Sequence, residues 1–162
     1  MGRLNDSNFV SLKISKMEQR VDIERTQPDA WKSLYQLALI LNKSALSPIL
    51  KHLIKVRTSQ INSCAFCINM HTKEALKIGE TQQRLFLLNA WRETTIFTDE
   101  EKALLALVEE VTLIHHNGVS DNTYKGAEKY FSSQTIGEII MSTVLMNAWN
   151  RIAVSTHKPL VD

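Results

Sequence analysis

Residues 59–71 read SQINSCAFCINMH, a stretch that holds both cysteines of the 162-residue chain. The polar pair before Cys64 is typical of a turn between two helices, and Ser63 is a competent N-cap for the second one. In that helix, steps of about 100° per residue would place Cys64, Cys67 and His71 within an arc of roughly 60°. The stretch therefore predicts a helical hairpin that presents two thiols and an imidazole on one face.

Helical patterns extend outward from this hairpin in both directions. Apolar residues recur at helical spacing nearly throughout, and only five glycines and three prolines interrupt them. Further helices are expected to start at residues that favour helix beginnings: Pro28, Pro48, Thr81, Thr98, Ser120 and Thr135. No strand pattern is evident. The sequence predicts an all-α fold, with an N-terminal arm at residues 1–25 and a single-domain helical bundle at residues 26–162.

The composition restricts the classes of partner. Nineteen basic and 17 acidic side chains are scattered along the chain and give a formal net charge of +2. No basic run is interleaved with aromatic residues, so we expect no nucleic-acid partner. Residues 1–16 contain no apolar core of a signal peptide, and no stretch approaches the length of a membrane span. These features predict a soluble cytoplasmic protein with no membrane partner.

Three interpretations of the cysteine pair are open from its spacing. In a reducing cytosol a close pair is more often catalytic or metal-binding than structural. The first interpretation is a dithiol redox centre, since a helix N-terminus lowers the pKa of a thiol and His71 lies close enough to carry its proton. The second is half of a zinc site, because Cys-x-x-Cys with nearby histidines is ligand chemistry. The third is a pair of buried cysteines without chemistry.

The hairpin geometry adds His52 as a candidate. In an antiparallel hairpin that turns after residue 62, residue n faces roughly residue 125 − n. His52 is then expected within about one turn of His71 and close to Glu74. It would serve as a second proton acceptor that Glu74 orients, as a fourth zinc ligand, or as a solvated side chain.

Several motifs together resemble those of one family. Residues 59–67 with His71-Thr72-Lys73, then residues 91–94, 97–103 and 147–151, resemble in order the motifs of the AhpD-like alkylhydroperoxidases. These enzymes belong to the carboxymuconolactone decarboxylase superfamily. The resemblance covers roughly residues 28–155.

The resemblance implies an all-helical fold and an antioxidant enzyme that reduces hydroperoxides. It implies that Cys67 attacks the peroxide, that Cys64 closes the disulfide, and that His71 relays protons. The two thiols store both electrons, so no metal or other cofactor is expected. The electron donor would be another dithiol, a lipoyl group or a thioredoxin-like protein. The resemblance also implies a homo-oligomer, a trimer or hexamer, and Trp31, Trp91 and Trp149 are expected as core or subunit-interface anchors.

The chain departs from the family pattern at two positions. The glutamate that usually lies twelve residues before the first cysteine is His52 here, which supplies no fixed negative charge. The tyrosine or histidine that usually precedes the second cysteine is Phe66. We therefore expect a pair that is redox-active but slow toward peroxide. A redox-sensing or zinc-binding helical oligomer of the same superfamily is the alternative.

Overall fold

The computed structural model describes residues 18–160, and every regular element in this range is a helix, as the sequence predicted. The elements are α1 (Ile23–Thr26), α2 (Pro28–Asn42), α3 (Pro48–Ile61), α4 (Ala65–Lys77), α5 (Gln82–Leu87), a 3₁₀ helix (Leu88–Glu93), α6 (Asp99–Thr112), α7 (Asp121–Glu128) and α8 (Ser133–Thr156). None of these helices is long and apolar enough to cross a membrane. Residues 1–17 of the expected N-terminal arm lie outside the described residues.

Side chains recognisable in the sequence begin most of the helices. Thr81 and Ser120 accept backbone hydrogen bonds at the starts of α5 and α7. Thr98 and Glu101 form both bonds of a capping box at the start of α6. The last helix, α8, begins two residues before the expected Thr135 because Ser132 is its N-cap. Local sequence therefore determines where these helices begin.

The predicted cap of the cysteine-bearing helix is wrong by one residue. Ser63 has a φ of 53°, and the amide of Cys64 bonds back to the carbonyl of Ser59 at 3.0 Å. This pattern closes the C-terminus of α3 with a left-handed residue. Because Ser63 ends α3, it cannot also begin α4. Cys64 is the N-cap instead, and its Sγ accepts a hydrogen bond from the amide of Cys67 at 3.3 Å.

The hydrophobic core forms where α3 packs against α6 and α8. Its fully buried side chains include Leu53, Ile54, Val56, Leu104, Leu105, Leu107, Val108, Ile136 and Ile139. A second, smaller apolar cluster surrounds the cysteines and contains Cys64, Cys67, Met146 and Ala153, with Phe66 and Trp149 packed against it. The cysteines thus lie between α4 and α8, away from the main core.

A network of amides fastens the hairpin turn to α8. Asn62 donates through Nδ2 to the side-chain oxygens of Asn147 and Asn150, at 3.0 Å each. Asn150 is fully buried and donates in turn to the hydroxyl of Ser59 at 3.1 Å. Buried polar groups need such partners, because an unpaired one costs its full desolvation. The motifs at residues 59–62 and 147–150 are therefore the two halves of one contact, which holds the turn directly before Cys64.

A buried carboxylate ties the 3₁₀ helix to α3 and α6. Glu109 accepts hydrogen bonds from Arg57 Nε at 2.7 Å, from Trp91 Nε1 at 2.8 Å and from the guanidinium of Arg92. Burial raises the pKa of Glu109, but these bonds and the charge of Arg57 outweigh it and lower the pKa below its usual value. Glu109 therefore remains ionised, and Trp91 is a core anchor with a satisfied indole N–H.

Candidate active site

Cys64 and Cys67 lie at the amino-terminal end of α4 and are joined by a disulfide bond. Their Cα atoms are 5.4 Å apart, within the range of about 4.4–6.8 Å that disulfides span. Both residues are buried, with 1% and 2% of their surface exposed. The spacing of three residues across the first helical turn brings the two sulfur atoms together, as the sequence pattern indicated.

A cavity of about 370 Å³ opens beside the disulfide between α2, α3, α4 and α8. Cys67 and His71 line this cavity, whereas Cys64 does not. Aromatic rings form much of its wall, and those of Trp31 and Trp149 meet edge to face with centroids 4.7 Å apart. The two cysteines are therefore inequivalent, because a molecule in the cavity meets Cys67 first.

The imidazole of His71 is buried and bound to a carboxylate. Its Nδ1 lies 2.8 Å from Glu74 Oε2, and because an ionised carboxylate only accepts hydrogen bonds, Nδ1 carries the proton. Burial lowers the pKa of His71 below its ordinary value, and the bond to Glu74 only partly opposes this effect. His71 is therefore neutral near pH 7, with Nε2 available as a proton acceptor.

Glu74 lies between the two candidate histidines. His52 donates from Nδ1 to the Pro48 carbonyl at 2.9 Å, and its Nε2 lies 3.6 Å from the same Glu74 Oε2. Burial raises the pKa of Glu74, but the hydrogen bond from His71 and the positive charges nearby lower it below its ordinary value. The hairpin register thus brings His52, Glu74 and His71 together as predicted, with Glu74 in the middle.

The zinc interpretation required two cysteines and two histidines around one point. Instead, His52 and His71 both contact Glu74. Across residues 18–160, no group of three or more His, Cys, Asp and Glu side chains is arranged to hold a metal ion.

Comparisons with known proteins decide the family. Residues 28–110 match the sequence profile of the carboxymuconolactone decarboxylase family. The uncharacterized protein YdfG of Bacillus subtilis (strain 168) is 37% identical over 139 residues, which cover 86% of this chain and 95% of YdfG. The chain belongs to the carboxymuconolactone decarboxylase family.

Solved structures place it among the AhpD-like members of this family. The crystal structure of ATU0492 from Agrobacterium tumefaciens superposes with a TM-score of 0.87 at 35% identity, over 90% of this chain and 99% of that one. ATU0492 is a protein of unknown function that has been suggested to be the antioxidant defence protein AhpD. An AhpD-core, peroxidase-related protein from Ralstonia eutropha JMP134 shares the fold, with a TM-score of 0.75 at 18% identity over 86% of this chain and 74% of that one.

Sequence reasoning about this AhpD-like chain missed the three cationic residues of the cavity, which are Lys51, Lys55 and Lys158. Lys55 lies one turn beyond His52 on α3, and Lys158 follows the end of α8. Burial lowers the pKa of Lys55 below its ordinary value, and the charge of Glu74 partly opposes this. Lys55 follows His52 by three residues, and this helical spacing could have predicted that both side chains lie on the same face of α3. Lys158 gave no such signal, because a left-handed residue at His157 directs the chain after α8.

Proposed function

We propose that the chain is a thiol-dependent peroxidase and disulfide oxidoreductase that reduces organic hydroperoxides through Cys64 and Cys67. The observation that carries the proposal is the disulfide whose Cys67 lines a cavity together with the neutral, carboxylate-bound His71. AhpD-like family membership supports it, because the similar ATU0492 has been suggested to act in antioxidant defence.

The cavity favours Cys67 as the cysteine that attacks the peroxide. Cys67 lines the cavity, and Cys64 does not. Cys64 is instead the N-cap of α4, and its Sγ accepts a hydrogen bond from the backbone amide of Cys67. The positive end of the helix stabilises a thiolate there. Cys64 is thereby suited to close the disulfide and, since lower-pKa thiols leave faster, to depart when a donor reduces it.

The proposed cycle balances with the two thiols as the reductant. The Cys67 thiolate attacks the terminal peroxide oxygen, so an S–O bond forms, the O–O bond breaks, and the alkoxide takes a proton to become the alcohol. Cys64 then attacks the Cys67 sulfur: the S–S bond forms, the S–O bond breaks, and hydroxide leaves as water with the Cys64 proton. The thiol pair has given two electrons to the peroxide.

His71 is the proposed proton relay. Its neutral ring accepts the Cys67 proton at Nε2 and returns it to the alkoxide, while Glu74 stabilises the imidazolium formed between these steps. Glu74 supplies the fixed negative charge that His52 lacks, and His52 is proposed to share this carboxylate as the second proton acceptor.

The cycle needs an external dithiol, proposed to be a lipoyl group or a thioredoxin-like protein, that becomes oxidised as it restores both thiols. Such donors are reduced in the cytoplasm, which is the proposed location. We further propose a homo-oligomer, a trimer or hexamer, because apolar side chains remain exposed on α2 and α8.

Intact-mass measurements on fully reduced protein with a slight excess of cumene hydroperoxide test the proposal. Wild type should lose two hydrogens, Cys64→Ser should gain one oxygen as a trapped sulfenic acid, and Cys67→Ser should stay unchanged. If wild type keeps both thiols free over minutes, hydroperoxide reduction is rejected in favour of the redox-sensing alternative. A trapped sulfenic acid in Cys67→Ser would reverse the cysteine roles.

A further inference from the structure

The cavity beside Cys67 combines an apolar wall with an unbalanced positive charge. Three lysines line it, Lys51, Lys55 and Lys158. Within residues 18–160, no aspartate or glutamate lines the same space. Its remaining lining is dominated by aromatic and aliphatic side chains. Because clustered cations in a wall that holds no carboxylate attract anions, the cavity is electrostatically suited to a negatively charged group on an apolar molecule.

The three lysines differ in the interactions that their ammonium groups make within the protein. Lys51 donates from Nζ to the carbonyl oxygens of Asn42 and Ser44, at 2.9 Å each, and so fastens the end of α2. Lys158 Nζ lies 5.1 Å from the Trp31 ring centroid and 5.0 Å from that of Phe66, within the reach of cation–π attraction. Both ammonium groups therefore have partners within the protein.

Lys55 differs because it is half-buried and its ammonium group makes no hydrogen bond or ion pair with any described residue. At longer range the charge of Glu74 partly opposes the effect of burial on the pKa of Lys55, and the charge of Lys55 acts on His71. A half-buried ammonium without a bonded partner is costly unless something compensates it. Glu74 supplies only part of that compensation, and an anionic ligand group in the cavity would add a directly bonded partner close to His71.

We propose that this cavity binds amphiphilic carboxylates, with the apolar body against the aromatic wall and the carboxylate on Lys55. One consequence rests on the proposed function: the hydroperoxides that the enzyme prefers carry a carboxylate on an apolar body. Hydrogen peroxide and small neutral peroxides would lack both the apolar contact and the ionic one. The carboxylate would hold the peroxide group in the cavity with Cys67.

Binding of two unreactive probes to the disulfide form tests the inference without any turnover. The probes are 4-phenylbutanoate and its amide, which share one shape and differ in charge. We expect the carboxylate to bind about tenfold more tightly or better, measured by calorimetry and by the change in tryptophan fluorescence, to which Trp31 and Trp149 of the cavity wall contribute. Lys55→Met should remove this preference and leave the affinity for the amide unchanged. Lys55→Arg, which keeps the charge, should retain the preference.

Lys77→Met is the matched control, because Lys77 is an exposed lysine of α4 outside the cavity. It should bind both probes as wild type does. Equal affinity for the two probes, no binding of either, or an unchanged preference in Lys55→Met would each overturn the inference.

A kinetic experiment separates this inference from the proposed function. Reduced protein is mixed with a carboxylate-bearing aryl hydroperoxide or with its methyl ester, and the rate of disulfide formation is followed. We expect faster oxidation by the acid in wild type and equal rates in Lys55→Met. If neither compound oxidises the thiols, the peroxidase proposal fails while the probe measurements still decide what the cavity binds.

Discussion

The pKa of His71 depends on two opposing effects, its burial and its contact with Glu74. Burial disfavours the imidazolium and lowers the pKa of His71, while Glu74, 2.8 Å from Nδ1, favours it. Burial has the larger effect, so the ring is neutral near pH 7 but becomes a stronger base than it would be without the carboxylate. Glu74 is thus proposed as a positioning residue that acts on the peroxide through His71.

Glu74→Gln should alter the pH dependence of peroxide-driven oxidation. Removal of the negative charge lets burial lower the pKa of His71 further. Because the ring works as a base only when neutral, the acid limb of the rate profile should move to lower pH. The rate at pH 7 should fall about tenfold, since the ring becomes less basic and less firmly oriented. Stopped-flow oxidation of reduced protein across pH 4.5–8 measures both quantities.

Two controls accompany this measurement. Glu74→Asp keeps the charge and should retain most of the pH profile. Glu128→Gln makes the same change at an exposed position on α7 and should match wild type. A Glu74→Gln variant with a reduced rate but an unmoved acid limb would show a merely structural role for this carboxylate.

The hairpin of α3 and α4 is the element that assembles the site. It places His52 opposite Glu74, and the left-handed Ser63 places Cys64 at the start of α4. Its turn is held to α8 by the amide network of Asn62 and Asn150. The network stabilises the fold and also positions the cysteines against the wall that α8 supplies.

Asn150→Ala should therefore destabilise the protein by about 1–3 kcal/mol, because it removes the hydrogen bonds that the buried Asn150 makes with Asn62 and Ser59. Urea unfolding of the disulfide form measures this change. The reduced variant should also re-form its disulfide more slowly, since the turn is less firmly held. The matched control is Asn122→Ala at an exposed position of α7, expected within about 0.5 kcal/mol of wild type. Equal stability of the two variants would contradict the proposed role of the network.

At the scale of the whole molecule, α2 leaves several apolar side chains exposed. No residue of α2 is buried, and Tyr35, Leu39 and Ile40 are 55%, 41% and 66% exposed. On α8, Met141 and Val144 are 43% and 49% exposed. Exposed apolar side chains on neighbouring helices are typical of subunit interfaces, and α2 also forms one wall of the cavity.

Ile40→Asp should shift the proposed oligomer toward the monomer, because it places a charge in an apolar contact. Light scattering after size-exclusion chromatography measures the mass. Gln83→Asp introduces the same charge at an exposed position of α5 and should leave the mass unchanged. A wild-type monomer at micromolar concentration, or an Ile40→Asp variant of undiminished mass, would exclude this surface as the interface.

Much of the fold and part of the candidate site were predictable because their signals are local. The capping box at Thr98, the N-caps Thr81 and Ser120, and the all-helical class follow from short-range patterns that the structure confirms. The register of a tight hairpin is local too, which is why His52 could be expected near Glu74. The cap of α4 was predicted wrongly because Ser63 serves the end of α3.

By itself, the sequence determined the all-helical class, most of the helix starts, the family and the three-residue spacing of the two cysteines, since each depends on residues close together in the chain or on ordered motifs. It did not predict the short α1 or the separate 3₁₀ helix. Only the tertiary structure decided that Cys67 lines the cavity while Cys64 does not. It alone also placed Glu74 between two histidines and brought Lys55 and Lys158 into one apolar space. These outcomes depend on the packing of α2, α3, α4 and α8, and such packing brings together residues that no local pattern connects.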